Sequence, residues 1–350
     1  MISIPVYNEL PDSFFEIPLQ VYRNLPLRIE EDRNYINRLL QIRSRHAELQ
    51  LFTDHQNIRL LGMIDKGSST ALFGFWETTH DFRLNQEAFG AFEQWSLSKG
   101  CTRIEGPKNF NTLHAYRLRL GTPSWLQFNR EPVNPDGYPK MLEQLGYRPA
   151  FSFQSRLLDT QVIPKVYISK QQWVDQLSSL PFGFIPLNRQ SWVTHQTQIF
   201  ELVNDIFGEN PGFNVVSQQE FELLYNADFA EGLCPHTSVL VQERSTQKLV
   251  AISLCQPNYL PLRLNHSPKF EEHYPLLEHR TLLAKTQGVH PDYRKQGLMN
   301  YLGAYGMLSF KAYYDDIVFC LMRDDNPSLR FTDPFPYERV NYALYNKDLR

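Results

Sequence analysis

The run Leu282-Leu-Ala-Lys-Thr-Gln-Gly-Val-His-Pro-Asp-Tyr-Arg-Lys-Gln-Gly-Leu-Met299 combines residue types that suit the binding of an anion. A strand-forming stretch ends at Val289, His290 and Pro291 make a turn, and the spacing predicts a helix opening over Arg294 to Gly297. Unpaired N–H groups at a helix start, together with the positive end of its dipole, favour a phosphate. Gly297 lets the backbone approach closely, and Arg294 and Lys295 add charge, so the spacing suits a pyrophosphate. Glu278 and His279 precede the strand, and Lys285 alternates onto the face of Gln287 and Val289; each of the three is a candidate general base. His290 fits turn packing or a phosphate hydrogen bond.

Other chemistries fail on spacing. His266, His273 and His279 lack the i, i+4 geometry of an HExxH helix, and GxSxG, GxxxxGKS/T and GxGxxG are all missing, so no metal, serine nucleophile or nucleoside triphosphate is expected. Cys101, Cys234, Cys255 and Cys320 are far apart without a CxxC pair, which reads as reduced thiols, with Cys255 and Cys320 in core strands. Thirty-five Lys and Arg against 38 Asp and Glu leave a net charge of −3, without the basic excess that would attract nucleic acid. The uncharged stretches 249–262 and 296–310 fall short of the roughly 20 residues that span a bilayer, and the opening residues lack a signal-peptide pattern, so a cytoplasmic protein without membrane partners is expected.

The chemistry-bearing run needs elements to hold it, and periodicity supplies them. In the first half, helices are predicted at 33–45, 85–99 and 138–145, and strands at 47–52, 58–64, 70–76, 101–106 and 151–157, after a Pro-rich opening loop. The second half repeats the order: helices at 193–207, 218–225 and 294–313, and strands at 237–243, 249–256, 280–289, 316–322 and 340–345. Residues 164–187, with Pro164 and Pro181, read as a linker around a short helix. Two diverged α+β units follow, 1–162 and 163–350, each a mixed, mostly antiparallel sheet flanked by helices.

Arg294-x-x-Gly297, with Gly288-Val-His-Pro291 before it, resembles the signature of the GNAT superfamily of acyl-CoA-dependent N-acyltransferases. Leu321-Met-Arg-Asp-Asp-Asn-Pro-Ser328 is similar to that family's strand-to-helix segment, and Tyr342-Ala-Leu-Tyr345 to its last strand. Met299 departs from the family's small residue. The first half resembles the family through Ala71-Leu-Phe-Gly-Phe-Trp-Glu77, Gly106-Pro-Lys-Asn-Phe110 and Tyr138 to Tyr147, but Thr78 to Leu84 carries no Arg-x-x-Gly loop, so it reads as a degenerate copy.

The resemblance implies acyl transfer from acetyl-CoA or another acyl-CoA to an amine by direct attack. Arg294, Lys295, Gln296, Gly297, Leu298 and Met299 would hold the pyrophosphate, Gln287 and Val289 would offer backbone groups to the pantetheine arm, and Asn326 and Ser328 would face the cofactor. The family's thiolate acid is a tyrosine; here the first one after Asn326 is Tyr337, with Lys285 and Glu278 as candidate bases or water-relayed deprotonation instead. Acceptors would be small-molecule or protein amines, and 205–213 would form a lip over them. A carrier-protein phosphopantetheine donor, or a non-catalytic binding protein of the same fold, are the alternatives.

Overall fold

The computed structural model describes residues 1–79, 81–208, 210, 213 and 216–349. In chain order the elements begin with β1 (Ile2–Pro5), α1 (Asp12–Val21), α2 (Arg33–Arg43), β2 (Ala47–Thr53), β3 (Ile58–Asp65) and β4 (Thr70–Thr78). Then come α3 (Phe82–Ser98), β5 (Arg103–Gly106), β6 (Leu118–Leu120), α4 (Tyr138–Gln144) and β7 (Arg148–Leu158). The second half continues with α5 (Ile163–Val174), β8 (Phe182–Pro186), α6 (Arg189–Phe207), α7 (Gln218–Leu224), α8 (Ala227–Glu231), β9 (Val239–Glu243) and β10 (Leu249–Pro257). It closes with α9 (Phe270–His273), β11 (Thr281–Val289), α10 (Leu298–Tyr313), β12 (Asp316–Arg323) and β13 (Glu338–Asp348).

The chain forms two compact units, one of residues 1–122, 130–153 and 341–350, the other of 123–129 and 154–340. In the first, β1, β2, β3 and β4 pair antiparallel in sequence order, β4 pairs parallel with β5, and β5 pairs antiparallel with β13. In the second, β8, β9, β10 and β11 form an antiparallel run, and β11 pairs parallel with β12. Both are the mixed, mostly antiparallel α+β sheets expected. The division differs from 1–162 and 163–350 in three segments: 123–129 and 154–162 lie in the second unit and 341–350 in the first, where Ala343 and Tyr345 of β13 are buried in the core with Phe73, Phe89 and Tyr147. The consecutive run Tyr342–Tyr345 is buried on both faces of β13, and such a run marks a central strand without saying which sheet it joins.

The expected linker is structure. Pro164 sits in the first turn of α5, where its missing N–H costs nothing, and Ile163 and Val166 of that helix enter the second unit's core. Pro181 precedes β8, which pairs with β9 from Phe182↔Glu243 to Pro186↔Val239 at the edge of the sheet. The opening loop likewise contains α1, with Pro18 inside it and Phe14 and Ile17 buried. Among the described residues no helix is long and apolar enough to cross a membrane.

Candidate active site

β11 is where the sheet of the second unit opens. Its parallel ladder with β12 runs from Thr281↔Asp316 to Ala284↔Phe319 and stops there. On its other side Leu254 pairs with Thr286 and Cys255 with Ala284, so Lys285 is the extra residue of a β-bulge that bends the strand away. His290 N–H donates to Val250 O at 2.8 Å, which sets the alternation of the antiparallel ladder. Gly288 and Thr286 therefore pair with β10, and the backbone groups of Gln287 and Val289 turn toward the open edge.

Past the strand end, the helix begins later than the sequence predicts. Pro291 to Gln296 form a 3-10 turn, Gly297 takes the left-handed conformation (φ 73°), and α10 starts at Leu298. A helical residue followed by a left-handed one makes a concavity of converging N–H groups, a natural anion nest. No side chain caps α10. Lys295 and Gln296 are exposed beside it, whereas the Leu298 side chain is buried and Met299 packs on the same cluster as Val289 and Leu302. Leu298 and Met299 can thus offer only backbone N–H groups.

Arg294 behaves differently from the expectation of a free phosphate ligand. Its guanidinium folds back, donating to Ile206 O at 3.1 Å and Val289 O at 3.4 Å, and so ties the end of α6 to the end of β11. His290 is buried, and its Nδ1 accepts from Asp292 N–H at 3.2 Å, capping the 3-10 turn; Nε2 lies 3.3 Å from Asp205.

The base candidates are dispersed. Glu278 is exposed and His279 pairs with Asp316 at 2.8 Å, both at the start of β11. At about 3.3 Å per residue they lie some 20–30 Å along the strand from Gln287, too far to serve there. Lys285 donates through Nζ to Asn129 O and lies 5.1 Å from the centre of the Phe128 ring, so its ammonium anchors the 123–129 segment instead of acting as a base. Asn326 is exposed and caps a 3-10 turn over Pro327–Phe331 by accepting from Ser328 N–H at 2.9 Å; the expected helix is reduced to that turn. Tyr337 is half-buried, its ring 4.1 Å beneath the Arg156 guanidinium. Of the expected lip, Glu209, Pro211 and Gly212 lie outside the described residues.

Sequence reasoning missed Ser253, buried on β10, whose hydroxyl accepts from Gln287 Nε2 at 3.2 Å. It also missed Leu321, held at φ 57° in β12 with its N–H donated to Ser155 Oγ at 3.0 Å. No local signal marks either, since both depend on partners distant in sequence. The thiols are as expected: all four cysteines are free and buried, and burial pushes Cys255 up to about 12, far from a thiolate at neutral pH.

The first unit has the same strand opening and fills it. β4 and β5 pair in parallel only from Thr70↔Arg103 to Leu72↔Glu105. Beyond that point Lys108 N–H donates to Phe73 O at 2.7 Å, and Asn109 Oδ1 accepts from Phe75 N–H at 2.7 Å. A Cβ on Gly74 would stand 2.3 Å from Lys108 O, so the glycine is what lets the plug seat. The helix that follows is capped by a carboxylate, Asp81 accepting from Leu84 N–H at 3.2 Å, where a phosphate would be repelled; His80 lies outside the described residues.

No family model matches the sequence, and no curated protein matches it either. Solved structures do match the fold. A tandem GNAT protein from the clavulanic acid biosynthesis pathway, determined without AcCoA, aligns over 100% of this chain and 98% of its own, with TM-score 0.55 and 10% identity. A GCN5-related N-acetyltransferase from Kribbella flavida covers 99% of this chain over 71% of its own, with TM-score 0.53 and 9% identity. A conserved protein of Enterococcus faecalis V583, described as a probable N-acyltransferase, covers 99% over 72% of its own, with TM-score 0.53 and 8% identity. The chain therefore has the tandem GNAT fold.

Proposed function

We propose that the second unit is an N-acyltransferase that takes its acyl group from acetyl-CoA or another acyl-CoA and passes it to an amine. One contrast carries the reading: the opening between β11 and β12 leads to an uncapped helix preceded by an anion nest, while its counterpart in the first unit is plugged by Lys108 and Asn109 and capped by Asp81. A thioester donor needs the first arrangement and is refused by the second. The first unit accordingly serves as scaffold, and the protein works in the cytoplasm.

Within this reading, Lys295 and the N–H groups around Gly297 bind the pyrophosphate, and Gln287 and Val289 align the pantetheine arm along the strand edge. An N–H at the strand opening meets charge developing on the thioester carbonyl oxygen. The acceptor amine must be neutral to attack. With Glu278 and His279 at the far end of β11 and Lys285 engaged as a donor, its proton leaves through water. Tyr337 supplies the proton to the departing thiolate.

A thermal-shift titration tests the donor. Acetyl-CoA at about 100 times its dissociation constant should stabilise the protein by roughly 2.7 kcal/mol. Phosphopantetheine serves as the comparison: an equal shift from it would move the assignment to a carrier-protein donor, and no shift from either would leave a non-catalytic protein of this fold. For the acid, Tyr337→Phe keeps the ring over Arg156 and should lower kcat by about 10²-fold or more, in keeping with lost proton transfer.

A further inference from the structure

His266, Glu272 and His273 come together in the connection between β10 and β11, at the start of β11 and so away from the strand opening. The two imidazoles face each other through their Nε2 atoms, 3.2 Å apart. The Nδ1 atom of His266 lies 2.8 Å from Asn265 Oδ1, while that of His273 accepts from Lys269 N–H at 2.9 Å and lies 3.1 Å from the Lys269 carbonyl oxygen. His266 can keep its proton on Nδ1, donating to Asn265 Oδ1, and point its Nε2 lone pair at His273; an ion on His273 Nε2 would move that ring's proton to Nδ1, which would then donate to Lys269 O in place of accepting from Lys269 N–H. Metal-bound histidines are oriented by this kind of outer hydrogen bond. Glu272 Oε1 stands 3.7 Å from His273 Nε2, its other oxygen facing Lys269 Nζ at 3.9 Å.

The separation fits an ion. Two nitrogens bound at about 2.0–2.1 Å to a tetrahedral metal lie roughly 3.3 Å from each other. We propose that His266 Nε2, His273 Nε2 and Glu272 Oε1 bind one divalent transition-metal ion of the zinc type, with water completing the tetrahedron. Two imidazoles and one carboxylate are donors that zinc accepts readily. His273 is buried, while His266 and Glu272 are exposed, so the ion enters from solvent and rests on a fixed ligand. Its effect is to staple residues 258–280, which carry Tyr259, Phe270 and Tyr274 into the second unit's core. The helical i, i+4 rule overlooks this pair because a turn, not a helix, brings residue 266 back onto α9.

The test uses untagged full-length protein stripped with a chelator, titrated with ZnCl2 and, for spectroscopy, CoCl2. One equivalent of Zn2+ should bind and raise Tm, and Co2+ should give the intense visible bands of a tetrahedral site. His266→Ala, at an exposed position, should fold normally and lose both responses, and Glu272→Gln should weaken binding. The proposal is overturned if wild-type protein shows neither response, as it would if a shared proton alone bridged the rings, or if His266→Ala keeps both, which would put the ion elsewhere.

Discussion

Gly297 holds a left-handed φ of 73° with open space where a Cβ would stand, so conformation and not crowding reserves the position for glycine. Gly297→Ala should cost about 1–2 kcal/mol of backbone strain yet leave the nest passable, whereas Gly297→Asp adds a carboxylate beside the N–H groups. The aspartate variant should abolish the acetyl-CoA shift while the alanine variant keeps part of it, a difference a titration of both will read. Glu77 offers a test in the first unit. Burial pushes its carboxyl up to about 8, against the pull of Arg59, and the Tyr138 and Tyr22 hydroxyls donate to it at 2.9 and 3.3 Å. Between the ordinary carboxylate value near 4.5 and about 8 the unfolded chain has lost this proton and the folded chain holds it, so stability falls as pH rises through that window. Glu77→Gln should remove that fall, and Tm measured at pH 5 and pH 8 should drop more in wild type than in the variant, by roughly 2–4 °C per kcal/mol. At this scale Gly297 was legible as a place where the backbone can come close, but not as the left-handed residue ahead of a helix that starts at Leu298. Arg294 and Lys285 were not legible, because their partners, Ile206 O and Asn129 O, are brought to them by the fold.

Strand β11 owes its position to α6 as much as to its ladders. A Cβ on Gly288 would fall 2.5 Å from Ile206 Cγ2, so the helix rests directly on the strand backbone. Gly288→Ala should push α6 outward, destabilise the protein by about 1–3 kcal/mol, and weaken donor binding through the Arg294 tie; a denaturant titration together with the thermal shift will register both effects. Elements with strong periodicity were legible in sequence: β3, β4, β10, β11 and most of α3 and α6 fall where apolar spacing puts them. Of the elements missed, β1, α1, α5 and β8 carry or adjoin prolines, while β6, α8 and α9 are only three to five residues long, too short for a period to show. Pro164 stands where a helix tolerates it, while Pro18 lies inside α1, and residue type alone does not separate these from a loop.

Across the whole molecule, the two units exchange chain segments, and this was hidden from the sequence because nothing local fixes which sheet a strand joins. Residues 341–350 belong to the first unit and 154–158 to the second. Cutting the chain after residue 340 should strip β5 of its antiparallel partner and empty the places of Ala343 and Tyr345, so the first unit should lose cooperative unfolding. A fragment of 163–350 would lack Leu158 and Val162 from the second core and should not fold by itself. Unchanged melting of the shortened chain would contradict this account. The central claim, one donor site in a molecule with two copies of the fold, is tested most directly by the stoichiometry of acetyl-CoA binding in calorimetry. One equivalent per chain, lost in Gly297→Asp, is the predicted result; two equivalents, none, or one that survives Gly297→Asp would contradict it.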